Sequence, residues 1–286
     1  MTRITILSAI TAACLLLAGV GGALLRGSGQ AEPITRAQID TALGRVIEPG
    51  FIQDAVAEMN LPERLRPHAA AHLAALWSDA RFRDRLAQEI ARNQAALVDA
   101  SGAVSVALVH RTSTRLNGTL LGAGLHRLPA SEIRVFLETS AAMMRAMPTA
   151  DCLALTSGHD GDAETQMLEM QALARLSEDT IESYFNVFRA GILAGLDAPA
   201  PAAMLSAPDA QRAQDRFDDA LQTAISRHPD RDRLQAALAS FDGPMVAEHC
   251  DAMILIFEQS ARIDGEIGDL VARWFAQGMI EHEMPD

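Results

Sequence analysis

Along most of this chain, apolar side chains recur every three or four residues, the spacing of helices that bury one face. Segment 128–147 shows it plainly. Ile133, Phe136, Leu137, Ser140, Met143, Met144 and Met147 share one side, behind a proline, Pro129, that suits a helix start. The strongest such pattern follows Ser177, a residue placed to cap it, and buries Ile181, Tyr184, Phe185, Phe188 and Ile192. Helical spacing also marks 35–47, which opens on Thr35-Arg36-Ala37-Gln38 in the form of a capping box, and 51–59, beyond a Pro49-Gly50 break. It continues through 62–77, where Pro67 kinks or restarts the helix, and through 81–98, 163–176, 209–228 with Asp209 as cap, and 234–241. Stretch 101–124 is less regular. Val104, Leu108, Leu116 and Leu120 fit a helix, yet Asn117-Gly118 is a turn signal inside it.

The longest pattern runs over 244–280. Cys250, Met253, Phe257, Ser260, Asp264, Ile267, Val271, Trp274 and Gly278 alternate in steps of three and four, a heptad-like seam over 250–278 on which a homo-oligomer could form. Ser260 and Asp264 interrupt it, and Gly265 and Gly268 are placed to split it into two helices. The fold class that follows is all-α, an antiparallel multi-helix bundle of about eight or nine helices behind an N-terminal signal or anchor helix. No fixed-period repeat points to a solenoid.

That N-terminal helix is expected because residues 4–25 carry no charge and lie between Arg3 and Arg26. Positive, then apolar, then small (Ala18-Gly19-Val20-Gly21-Gly22-Ala23) is the order of a secretory signal. The run is also close to the roughly 20 apolar residues that cross a bilayer. Segment 1–31 is therefore read as a cleaved signal peptide or a single-pass anchor, with Cys14 an ordinary apolar residue inside it, and 32–286 as the helical domain. Either reading puts that domain at a periplasmic location or on the extracytoplasmic face of the inner membrane, touching the membrane only if the segment stays uncleaved. Prolines and alanines at 197–208 make a stiff sub-boundary.

Composition narrows the function classes. The net charge is −13 and there is no lysine, which argues against nucleic acid, whose recognition needs basic patches. Outside the N-terminal segment the cysteines are one pair, Cys152 and Cys250, and an even pair in an oxidising compartment is expected to form a disulfide.

Candidate chemistry is sparse. His68 and His72, four apart on one helix, could chelate a metal, but no Glu lies between them and no further ligand is identifiable. Acidic residues at Asp160, Asp162 and Glu164 resemble the start of a calcium loop, but Thr165 and Gln171 stand where its glycine and glutamate belong. Glu248-His249-Cys250 is not a catalytic cluster, since neighbouring helical residues point about 100° apart. Nucleophile elbow, phosphate loop and dinucleotide fingerprint are absent from the sequence. The expectation is an exported, non-catalytic helical protein that binds an unidentified protein partner or plays a structural role, with no catalytic residues and no cofactor. The alternative is an exported hydrolase or metal-binding protein using His68 and His72 or the loop at Asp160.

Overall fold

The fold is that of a computed structural model, which describes residues 35–92, 106–156, 163–197, 204–240 and 246–281. Among these residues the chain forms thirteen α-helices, one 3-10 turn and no strand. The N-terminal group is α1 (Arg36–Val46), α2 (Pro49–Glu58), the 3-10 turn Glu63–Leu65, α3 (Arg66–Ser78), α4 (Ala80–Arg92) and α5 (Val106–Leu125). There follow α6 (Ala130–Ala146), α7 (Thr149–Thr156), α8 (Ala163–Leu173) and α9 (Glu178–Leu196). The chain closes with α10 (Ala207–Arg227), α11 (Arg231–Ala239), α12 (Ala247–Arg262) and α13 (Gly265–Glu281).

Two helices join the halves. The most extensive contact in the fold is α5 on α9, and α9 also packs on α3, α4 and α6. Helix α6 lies against α12 and α13, and α10 packs on α13, α12 and α11. Buried apolar residues form one contiguous cluster from Ile39 to Ala276. The residues that set the sequence periodicity are the ones inside it. Ile133, Phe136, Leu137, Met143 and Met144 of α6 are buried, as are Ile181, Tyr184, Phe188 and Ile192 of α9. Tyr184 stacks on Phe188 with ring centroids 4.2 Å apart.

Local chemistry sets the helix ends. The Ser177 hydroxyl accepts the Thr180 amide at 3.2 Å, as expected of an N-cap. Helix α10 starts earlier than expected, because Ser206 and not Asp209 is its cap. The Ser206 hydroxyl accepts the Asp209 amide at 3.3 Å and donates to the Asp209 carboxylate at 2.7 Å. Pro49, expected to break the chain, instead opens α2, since proline lacks only an amide that would be unsatisfied at a first helical position. The turn signal Asn117-Gly118 lies inside a continuous α5, whose Leu116, Leu120, Leu121 and Leu125 are all buried. The seam at 250–278 divides at Ile263-Asp264 into α12 and α13, with Gly265 at φ 73°, a conformation glycine adopts without strain. Cys250, Met253, Phe257, Ser260 and Val271 of that seam lie in the core of this chain.

The expected architecture is corrected in two respects. The helices number thirteen among the described residues rather than eight or nine. Two sources of the difference are α7, eight residues long after Pro148 and too short to show a period of its own, and the division of 244–280 at Ile263-Asp264. Second, no N-terminal signal or anchor helix heads the bundle described here. No helix among the described residues is long and apolar enough to cross a membrane, and the expected signal or anchor segment, 1–31, lies outside them. The membrane attachment inferred from that run therefore finds no counterpart in any described helix. Most of the proline-rich stretch, residues 198–203, also lies outside.

Cys152 of α7 and Cys250 of α12 form the expected disulfide, with Cα atoms 5.9 Å apart and a sequence separation of 98. Closing so long a loop restricts the unfolded chain, and measured bridges of this kind contribute about 2–4 kcal/mol. Dithiothreitol, or the double substitution Cys152→Ser/Cys250→Ser, should lower the stability by that amount in urea unfolding. A midpoint indifferent to reductant would show that the bridge carries none of it.

The α5–α9 crossing makes a second prediction. A Cβ on Gly195 would come within 2.7 Å of the Leu120 carbonyl carbon, whereas one on Gly44 in α1 would meet nothing within 4 Å. Gly195→Ala should destabilise by about 1–3 kcal/mol through overpacking. Gly44→Ala should stabilise by about 0.5–1 kcal/mol by restricting the unfolded backbone. Thermal unfolding of the two variants reads both signs.

Candidate functional site

Two corners of the fold meet one helix beside the disulfide. Helix α6 ends at Met147, whose amide donates to the Met144 carbonyl at 3.2 Å, and Pro148 turns the chain into α7. Helix α10 ends at His228, and Pro229 turns the chain into α11. Both corners face α12, and a half-open cavity of about 350 Å³ lies between them. That volume falls in the range of small-ligand and side-chain recesses. Met144, Met147, Leu234, Ile254 and Leu255 give it apolar lining; Arg145, Thr149, His228, Asp251 and Glu258 give it polar lining; Cys250 of the disulfide completes it.

The charges there are mostly paired. Arg145 forms an ion pair with Glu258 across the α6–α12 interface, and Arg262 approaches the other Glu258 oxygen at 3.5 Å. The Glu258 side chain is 12% exposed while Arg145 is 59% exposed, so the carboxylate is the fixed partner and the guanidinium the one in water. Asp251 is exposed and has no ion-pair partner among the described residues. The His228 Nδ1 accepts the Asp230 amide at 3.1 Å, which places the proton of the neutral ring on Nε2. No sequence motif marked this cavity. Arg145 and Glu258 lie on helices far apart in the chain, and Met144 and Met147 carry the same spacing as any core methionine.

The two histidines singled out by their spacing lie elsewhere, on α3 against α9. His68 Nε2 is 2.8 Å from Glu178, whose other oxygen accepts the Arg64 Nε at 2.6 Å. Arg64 and His68 hold the Glu178 carboxyl below its usual range. His72 faces inward, with Nδ1 3.2 Å from the Phe185 carbonyl oxygen and its ring 5.6 Å from the Phe185 ring. Burial pulls its pKa down to about 4; the Phe185 carbonyl opposes that shift and Arg189 reinforces it. The pair therefore does not converge: one imidazole engages a carboxylate at the surface and the other a backbone carbonyl in the core. Among the described residues, no group of three or more His, Cys, Asp and Glu side chains is placed to hold a metal ion. The acidic loop at Asp160 lies outside the described residues.

His249, the neighbour of Cys250, has no exposed surface. Its Nδ1 accepts the Val246 amide at 2.8 Å, which satisfies the amide just before α12. Its hydrogen bond to Val246 is that of a helix cap, in keeping with the reading that His249 does not serve Cys250.

No protein-family model matches this chain, and neither a curated protein nor a solved structure is significantly similar to it.

His72 makes the fold sensitive to acid. A buried base whose folded pKa is about 4 against an ordinary 6.5 contributes fully above 6.5 and loses that contribution as the pH falls toward 4. The loss amounts to about 3 kcal/mol. Urea midpoints measured from pH 7.5 down to pH of about 4 should fall more steeply for the wild type than for His72→Gln, with the difference confined to that window. Parallel curves would show that His72 does not stay neutral.

Proposed function

We propose that this chain is a non-catalytic helical protein of an oxidising, extracytoplasmic compartment, and that it acts by binding another protein. The observation that carries the reading is the recess beside the Cys152–Cys250 bridge. A disulfide persists where thiols are not kept reduced, which supports the compartment. The recess is a preformed concavity on helices that the bridge ties together, and a preformed site loses little conformational entropy when a partner docks. Its lining is more polar than apolar, with charged groups set beside the edges of the buried Met144, Met147 and Leu234, which suits a polar contact from a partner protein. The acidic surface balance points to a protein partner rather than nucleic acid.

Photo-cross-linking in the native host tests this. A benzophenone side chain at Thr149 or Leu255, on the cavity, should trap one discrete protein adduct, and the same probe at Gln88 on α4 should not. Identical adducts at all three positions, or none at the cavity, would end the proposal.

A further inference from the structure

We propose that the cavity beside the disulfide receives a basic side chain, arginine or lysine, from the partner protein; this rests on the binding role proposed above and adds the chemistry of the contact. A long basic side chain has an apolar stem and a charged head, and it buries the first while keeping the second hydrogen-bonded. The recess offers both halves of that arrangement. Met144, Met147 and Leu234 supply apolar wall, and Asp251 and Thr149 supply oxygen acceptors on the same lining.

The sign of the charge follows from what is already neutralised. Arg145 and Glu258 cancel each other, and Arg262 also approaches Glu258. The helix ends cancel as well. The α6 C-terminus is followed at once by the α7 N-terminus, and the α10 C-terminus by that of α11, so each corner presents both poles of the backbone dipole. Asp251 is left as the one lining carboxylate without an ion-pair partner among the described residues. The field of a chain with net charge −13 has the same sign and steers a cationic segment toward the surface. An acidic side chain would meet Asp251 directly, and it could reach a guanidinium only by displacing Glu258 from Arg145. Arginine can place two donors on one carboxylate, which makes it the better fit of the two.

The test uses the full chain, labelled for NMR, and three capped tripeptides of the form Gly-X-Gly in which X is arginine, citrulline or glutamate. Citrulline keeps the shape of arginine without its charge. The arginine peptide should shift the amides of α12 around Asp251 and Leu255, with a dissociation constant on the order of millimolar. Citrulline and glutamate peptides should bind about fivefold or more weakly, and added salt should weaken the arginine peptide. Asp251→Asn, at an exposed position, should keep the wild-type melting curve and lose about three- to fivefold in arginine-peptide affinity, and Asp251→Glu should restore it. Equal binding of citrulline, preferential binding of glutamate, or shifts that avoid the cavity would overturn the inference. The same Asp251→Asn change in the photo-cross-linking experiment separates the two proposals. An adduct at Leu255 that survives it undiminished removes the basic side chain and leaves the binding role standing. An adduct absent from the wild type removes both.

Discussion

The fold depends on how closely α5 and α9 can approach. Gly124 and Gly195 bring the two backbones together so tightly that a Cβ on Gly124 would lie 2.7 Å from the Gly195 nitrogen, and Gly191 accepts the Leu121 side chain in the same crossing. Small residues at a helix crossing exchange side-chain volume for backbone contact, and close-packed interiors leave no slack for the exchange to be undone. Helix α9 is thereby fixed between the N-terminal helices and α6, and α6 carries the C-terminal helices. Along α5 the crossing sits beside a polar edge. Ser113 takes the Trp77 indole N–H at 3.1 Å, and Asn117, 4% exposed, has no hydrogen-bond partner for either side-chain atom. An orphaned amide of this kind costs about 1–3 kcal/mol, so α5 stays helical through Asn117 against a local cost that its leucines and the glycine contacts offset.

On the other side of α6 the constraint is covalent. Helix α7 is a short element, eight residues between Pro148 and the undescribed segment after Thr156, and so short a helix has little stability of its own. It is held through packing on α12 and α8 and through the bridge from Cys152. The recess lies where α6 and α10 end, at Pro148 and Pro229, beside the stretch of α12 from Asp251 to Glu258. Staple and cavity thus arise from one arrangement of corners, and Cys250 belongs to both.

What the sequence made legible follows from how local each signal is. The amphipathic faces of α6 and α9 could be read because burial of one stripe imposes a period on the residues themselves, and Ser177 could be read as a cap because its acceptor works within its own turn. The bridge was legible because two cysteines leave one pairing. The number of helices was not, since α7, at eight residues, is too short to show a period of its own. Nor was the α10 start, where Ser206 and Asp209 both qualify as caps and only the geometry shows Ser206 accepting from Asp209. The cavity was illegible for a deeper reason. Arg145, His228 and Asp251 are ordinary surface residues in their own helices, and what makes them a site is the tertiary placement of three elements that no spacing rule connects.

His68 and His72 show why identical spacing can carry opposite chemistry. The i, i+4 interval puts both rings toward α9, but one ring reaches Glu178 in solvent and the other is enclosed against Phe185. Protonating His72 puts an uncompensated charge in the core beside Arg189. Burial separates the two rings along a single helix face. The Glu178 pair is screened by water and worth little, while the enclosed imidazole bears the full desolvation penalty. Acid therefore acts on the α3–α9 interface chiefly through His72. That interface lies on the helix whose other side holds the glycine crossing with α5, so loosening it weakens the contact on which both halves of the fold depend.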